Sequence, residues 1–298
     1  MSITLLQGTL EQGLIYSLVA LGLFLSFRIL NIADLTVDGG FTLGCATSAV
    51  ATLAGHPFLG LCLALVSGAA AGLVTALLQT KLKVQPILAG IITMTALYSI
   101  NLMIMGNRAN LPLLKCETIY TLAAPYLPTG YNKLIVISVI IALVIGLLYI
   151  FLQSSTGLAI RATGDNPDLV RSSSINPSLT ISIGLCVANA MVALSGAMLA
   201  QYQLFSEITT GTGMVVIGLA SLIMGEAIIG RGGIGRCIFG TLVGSIIYRL
   251  IIAIAITSTL PASNLKLISA VIVAISISWP AVKEKLELFR LKQASKKQ

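Results

Sequence analysis

Charge is what this sequence has least of. Asp, Glu, Lys and Arg make up 9% of its 298 residues, where soluble proteins carry roughly 25%. So few charges cannot cover a water-facing surface, and a mean hydropathy of +0.99 assigns most of the chain to lipid. Histidine is nearly missing too: His56, beside Pro57, cannot by itself build a metal centre or a His-based triad. The five cysteines (Cys45, Cys62, Cys116, Cys186, Cys237) are odd in number and scattered, so they read as small buried hydrophobes rather than a disulfide framework. The sequence has no G-x-x-x-x-G-K-[ST], G-x-S-x-G or H-E-x-x-H. It therefore offers no P-loop for ATP, no nucleophile elbow and no zincin site, and no catalytic or metal-binding residue is expected. GRGGIG, Gly230–Gly235, matches G-x-G-x-x-G but joins two apolar runs outside any βαβ unit, so it reads as a turn.

What is there in quantity is apolar run after apolar run. A spanning helix needs about 20 apolar residues. Candidates cover 12–30, 35–55, 57–79, 85–105, 133–153, 178–200, 211–230, 236–257 and 265–282. The expected fold is therefore an all-α polytopic membrane protein of about nine (8–10) transmembrane helices, a single transmembrane domain over 1–298. MSITLLQGTLEQG has no positive n-region and no small-residue cleavage site, so an uncleaved N-terminus is expected.

The net charge of +8 finds its explanation in placement. With the C-terminus cytoplasmic, nine spans put the N-terminus outside. The inner segments then hold Arg28, Lys81, Lys83, Arg161, Arg171, Arg231, Arg236 and six basic residues of the tail 283–298, against Arg108, Lys115, Lys133 and Lys266 outside. That bias follows the positive-inside rule and suits an anionic leaflet, not nucleic acid. Gly68 with Gly72, and Gly240 with Gly244, have the small-xxx-small spacing of close helix packing. Internal packing is the expectation, a dimer seam the alternative.

The inner segment 154–177 carries its own start signals. In SSTGLAIRATGDNPDLVRSSSINPS, Asp165 and Asn166 can cap a helix beginning at Pro167, Asp168 suits its N-terminus, and Asn176–Pro177 can stop it. A capped cytoplasmic helix of about two turns, with a surface for docking, is expected. GLAIRATGDNPDLVRSSSIN resembles the coupling loop of the branched-chain amino acid and ribose permease family of ABC importers. Its G-x-x-x-R-A-x-G-x-N core is matched by Gly157, Arg161, Ala162, Gly164 and Asn166. ANAMVALSGAMLAQY and GLASLIMGEAIIGRGGIG resemble that family's second half, and NIADLTVDGGFTLG looks most like a subgroup associated with tryptophan or tyrosine uptake. The resemblance implies ATPase coupling through Gly157, Arg161, Ala162, Thr163, Gly164, Asp165, Asn166, Pro167 and Asp168. It also implies cytoplasmic ATPase subunits that bind ATP and Mg, a second permease copy or a paralogue, and an extracellular substrate-binding lipoprotein. This chain itself would hold no cofactor.

Arg28 to Gly44, RILNIADLTVDGGFTLG, places polar backbone among the spans. Phe41 to Gly55 would reach only roughly 22 Å at 1.5 Å per residue, short of a core of about 30 Å. The second helix must then start near Leu35 or break at Gly39–Gly40. Non-helical backbone at that depth has to face protein or a wet cavity, here one near the inner face. Alternatively, Asp34 caps the helix and Asp38 sits among headgroups. Asp34 and Asp38, four apart, repel each other; Arg28 or a substrate ammonium could relieve that. A comparable acidic, glycine-containing break recurs in Leu199–Gly218, on the opposite side, which suggests an inverted repeat. Asn31, Asp34, Asp38, Glu226 and Arg249 are the candidate pathway residues. Glu226 and Arg249 lie at different depths and make poor partners, leaving Arg249 to reach Glu207 or snorkel, or to meet a substrate carboxylate.

The sequence thus reads as the permease subunit of an ATP-driven importer for a small solute, with an aromatic or branched-chain amino acid favoured. The alternatives are an ion-coupled secondary transporter and an ABC permease for a sugar or nucleoside.

Overall fold

The computed structural model describes residues 3–257 apart from 129 and 231, together with 271 and 274. Helix α1 (Ile3–Leu23) runs directly into a π-helical turn (Phe24–Ile29). Then follow α2 (Thr36–Leu53), α3 (Pro57–Thr80), α4 (Pro86–Ile104), strand β1 (Asn110–Pro112) and a short α5 (Ile119–Ala123). The second half holds α6 (Asn132–Gln153), α7 (Ser155–Asp165), α8 (Pro167–Ser172), α9 (Pro177–Gln203), β2 (Phe205–Glu207), α10 (Met214–Ile229) and α11 (Ile234–Thr257). Among the described residues six helices are long and apolar enough to cross a membrane: α1 with its π turn, α3, α4, α6, α9 and α11. The protein is therefore a helical, multi-pass membrane protein. α2 and α10, the two least apolar or shortest of the expected nine, fall below that mark, and the expected span 265–282 lies outside the described residues.

The main helices run alternately between two ends of the bundle. One end carries the π turn, α7 and α8. The other carries the antiparallel β1–β2 pair, with Asn110 opposite Glu207 and Pro112 opposite Phe205, a small departure from an all-helical chain. α9 is the axial helix. It is packed by α2 and α3 through small residues: a Cβ at Gly44 would overlap the Ala193 carbonyl, one at Gly72 the Leu185 carbonyl, and one at Gly196 the Phe41 carbonyl. In lipid no hydrophobic drive pushes helices together, so close backbone contact supplies the attraction. Gly68 faces Asn189 and Ala193 on α9, while Gly240 and Gly244 face Gly225 and Ser221 on α10. Both small-residue pairs therefore pack internally. The share of each span buried inside the chain, 78% for α1 and α9 but 17% for α6, puts the first two at the centre and α6 toward lipid.

Polar side chains fasten this interior. Ser195 donates to the Ile15 carbonyl at 2.7 Å and Ser245 to that of Gly13 at 2.8 Å. Thr36, Thr75 and Thr93 form a hydroxyl chain across α2, α3 and α4, with steps of 2.7 and 2.9 Å. Gln201 donates to Ser48 Oγ and to the Pro57 carbonyl and accepts from the Ile119 amide. Each such bond contributes about 0.6–2 kcal/mol in a membrane.

Three expectations need correction. The second helix does not break at its glycines: α2 is continuous through Gly39 and Gly40, and the irregular backbone precedes it, with Asn31 at φ +57°. The first helix starts nine residues earlier than its apolar run, because Gln7, Glu11 and Gln12 find polar partners (Gly130, Tyr202, Arg249) inside the protein. Asn176 and Pro177 do not stop α8, which ends at Ser172. They begin α9, the Asn176 side chain accepting from the Ser178 amide with Pro177 in the first turn.

Candidate functional site

Two places combine unusual geometry with polar chemistry, one at each end of the bundle. At the first, the segment between α6 and α9 forms two helices, not one. α7 was not expected; Ser154 caps it by accepting from the Gly157 amide. α8 starts as its residues predict: Asn166 accepts from the amides of Asp168 and Leu169, both at 3.1 Å, with Pro167 in the first turn. Asp165 closes α7 instead of capping α8.

α7 is seated by its small and branched residues. Gly157 and Ile160 are buried, and a Cβ at Gly157 would overlap the end of α6 at Phe151 and Leu152. Thr163 Oγ1 lies 2.8 Å from Thr180 Oγ1 on α9. At Gly164 the backbone meets the π turn so closely that a Cβ would overlap the Ile29 carbonyl. Ala162 and Arg161 are half-buried beside this seam, while Asp165, Asn166, Pro167 and Asp168 are exposed. The outer face shows apolar side chains, Leu158 at 53% and Leu169 at 60% exposure. The Asp168–Arg171 pair, 3.9 Å apart and largely exposed, contributes little.

The π turn relays this seat onward. Arg28, within it, bridges to Glu226 near the end of α10, with Nε 2.8 Å from Oε1. Single π turns inside α-helices occur often at functional sites. Arg28 is thus engaged with Glu226 rather than with Asp34 or Asp38.

The second place is where α2 and α10 begin. Asp34 is buried; its Oδ1 accepts from the Thr36 amide at 2.9 Å and its Oδ2 from Asn189 Nδ2 at 2.7 Å. It holds the first turn of α2 against α9. Asp38, one turn on, caps a different helix: its carboxylate accepts from the amides of Gly213 and Val215 at 2.8 and 2.9 Å, at the start of α10. A carboxylate there satisfies donors that have no partner within the helix and complements its dipole. Thr42 Oγ1 accepts from the Gly211 amide at 3.1 Å. The two aspartates therefore do not share one partner, and each accepts hydrogen bonds from backbone or side-chain amides.

A cavity of about 290 Å³ opens beside Asp38, bounded by Gly39, Thr42, Met94, Thr95, Tyr98, Asn101, Ile208 and Thr212. It lies toward the strand end of the bundle, not toward the end that carries Arg28 as expected, because α2 begins partway through the bundle. A second cavity, of about 540 Å³, is lined by Gln203, Phe205, Glu207, Thr209, Thr210 and Thr212, so Thr212 stands between the two. Of the five candidate pathway residues only Asp38 borders this space. Asn31 is exposed in the turn before α2. Arg249 donates to Gln12 Oε1 from both Nε and Nη2, and its guanidinium stands 5.1 Å from the centre of the Tyr16 ring. It meets α1, not Glu207 or Glu226. Three polar residues now stand out that sequence reading passed over: Asn101, Asn189 and Gln201. Asn101 and Asn189 are amides inside apolar runs and Gln201 stands at the end of one, which is the signal that could have marked them. Among the described residues no group of His, Cys, Asp or Glu could hold a metal ion.

Comparison with known proteins accords with this architecture. The chain is 33% identical over 268 residues to a "Tyrosine transport system permease protein" of Clostridioides difficile, covering 89% of this chain and 88% of that one. It is 27% identical to a "Probable branched-chain amino acid transport permease protein LivH" of Methanocaldococcus jannaschii, over 81% of each. The solved structure of PsaBC from Streptococcus pneumoniae in complex with Fab shares the fold, with a TM-score of 0.53 at 14% identity over 92% of this chain and 89% of that one. The family model described as branched-chain amino acid transport system / permease component matches residues 5–277. The chain belongs to that family, as a membrane permease component and not an enzyme.

Proposed function

We propose that this protein is the membrane-spanning subunit of an ATP-driven importer that carries an amino acid, of the aromatic or branched-chain class, by alternating access. The observation that carries the reading is the seat of α7 and α8. They form a capped, partly apolar platform at the basic end of the bundle, locked at Gly164 onto the π turn of α1. Such a platform suits a cytoplasmic ATPase subunit, which would bind ATP and Mg. A push on it passes through Ile29 to Arg28, then through Glu226 to α10. The start of α10 is tied to α2 by Asp38. The force therefore reaches the cavity at the opposite end through backbone contacts and one ion pair, all on rigid helices.

In this reading the platform faces the cytoplasm and the strand end faces outward, where a substrate-binding lipoprotein would deliver its cargo. The exposed faces of α4 and α6 would meet a second permease copy or lipid. The amino acid class is supported by the family and by the tyrosine-system relative. The test is uptake into vesicles holding the chain with its ATPase: labelled tyrosine, leucine and ribose are offered with and without ATP. Uptake of an amino acid that requires ATP, and is lost on Leu169→Asp with the chain still in the membrane, is expected. Uptake that persists without any ATPase overturns the proposal.

A further inference from the structure

The cavity beside Asp38 has a chemical character that no part of the importer reading requires. Asn101, on α4, is 1% exposed. Its Nδ2 donates to the Gly39 carbonyl at 3.2 Å. A carbonyl can only accept, so the orientation of this amide is fixed and the other atom is the oxygen. That oxygen, Asn101 Oδ1, has no partner, although Asn101 forms part of the cavity wall. That oxygen is covered in this conformation; a buried acceptor left empty costs about 1–3 kcal/mol, a cost that a donor reaching it from the cavity would remove.

Met94 and Ile208 make part of the remaining wall apolar, and the polar part is rich in acceptors. Asp38 presents a carboxylate that keeps further lone pairs after accepting two amides. Thr42, Thr95 and Thr212 bring hydroxyls, and Tyr98, 54% exposed, brings an aromatic ring. The outer cavity adds a second carboxylate, Glu207. Among the described residues no lysine or arginine lines either space; Arg249, within α11, is held by α1. Acceptors, a carboxylate and a ring face with no opposing cation make a place for a positively charged nitrogen. The volume, just under the roughly 300–1,000 Å³ of ligand pockets, fits one small metabolite.

We propose that this cavity is a contact site for the ammonium group of the transported solute, which Asp38 accepts while Tyr98 covers its flank and Asn101 Oδ1 lies unpaired in the wall behind. The proposal rests on the importer reading for the word "transported". It deepens that reading by naming the group recognised: an amine, which ribose lacks and every amino acid has.

The test reads charge selection in the cavity without using transport. Thr95→Cys is made in a chain with Cys62, Cys116, Cys186 and Cys237 replaced by serine, held with its ATPase in lipid nanodiscs. Labelling rates are measured with a trimethylammonium, a sulfonate and a neutral methanethiosulfonate reagent. After correction for reagent reactivity, the cationic reagent is expected to react about tenfold or more faster than the anionic one. Glu207→Gln, an exposed and well-tolerated change, lowers that ratio, and Asp38→Asn lowers it further where the chain still assembles. Tyramine slows labelling; 3-(4-hydroxyphenyl)propionate, which is tyrosine without its amine, does not. Equal corrected rates, faster anionic labelling, no labelling by any reagent, or equal effects of the two analogues each overturn the proposal. Because no ATP is needed, failure here is separate from a failure of ATP-driven uptake.

Discussion

Replacing Gly164 by alanine tests the mechanical link between the α7–α8 platform and the spans. The added Cβ would overlap the Ile29 carbonyl and crowd Leu30 Cα. These are backbone atoms that no rotamer change can move, so α7 and the π turn must separate by more than about 1 Å to restore ordinary contact. Overpacking of this kind costs about 1–3 kcal/mol. Alanine is at the same time a better helix former than glycine by about 1 kcal/mol, which can hide the strain in a stability measurement. Gly146→Ala on α6 supplies the control: it gains the same propensity, and nothing lies within 4 Å of its Cβ position. The difference between the two variants isolates the steric cost. Spent on the geometry of coupling, it corresponds to about a fivefold to hundredfold loss. The assay measures ATP-driven uptake and ATP hydrolysis in the same vesicles, normalised to the amount of chain in the membrane. Uptake by Gly164→Ala is expected to fall at least about fivefold while hydrolysis continues, with Gly146→Ala unchanged in both. If Gly164→Ala takes up solute like Gly146→Ala, the seam at Ile29 does not transmit force and the argument fails.

Asn189→Leu removes the amide that faces Asp34 and leaves a buried carboxylate one donor short. A loss of about 1.5–3 kcal/mol is expected in thermal unfolding in detergent, and Asp34→Asn, which keeps an acceptor for Thr36, should cost less. The Arg28–Glu226 pair is part exposed on the arginine side, so a double-mutant cycle with Arg28→Gln and Glu226→Gln should give a coupling of only about 1 kcal/mol or below. The same variants should reduce uptake more than stability; equal losses in the two would make the pair a simple brace. Gly44→Leu drives a side chain into the Ala193 carbonyl and is expected to prevent assembly of α2 on α9, seen as loss of the chain from the membrane fraction.

Much of this protein could be read from residue order alone because lipid is an unforgiving solvent. Twenty-residue apolar runs have few alternatives to spanning helices, and the starts of α3, α4, α8 and α9 are each marked by a proline in the first turn. The start of α8 was legible for a similar reason: Asn166–Pro167–Asp168 specifies a helix start through local hydrogen bonds that need no distant partner. α7 escaped notice because its seat depends on Ile29 and Thr180, which lie far away in the chain.

Sequence by itself determined the solvent, the family and the positions where helices begin, since those depend on composition and on neighbours within one turn. Only the tertiary structure decided what the isolated polar groups do. Asp38 caps α10 across 175 residues, Arg28 meets Glu226 and not an aspartate, and Asn101, in a cavity wall, keeps an unpaired oxygen. A charge or amide in an apolar run announces that it must have a partner, but the choice among partners is made by which helices pack together and at what depth. That choice belongs to the glycine-paved contacts of α2 and α3 with α9.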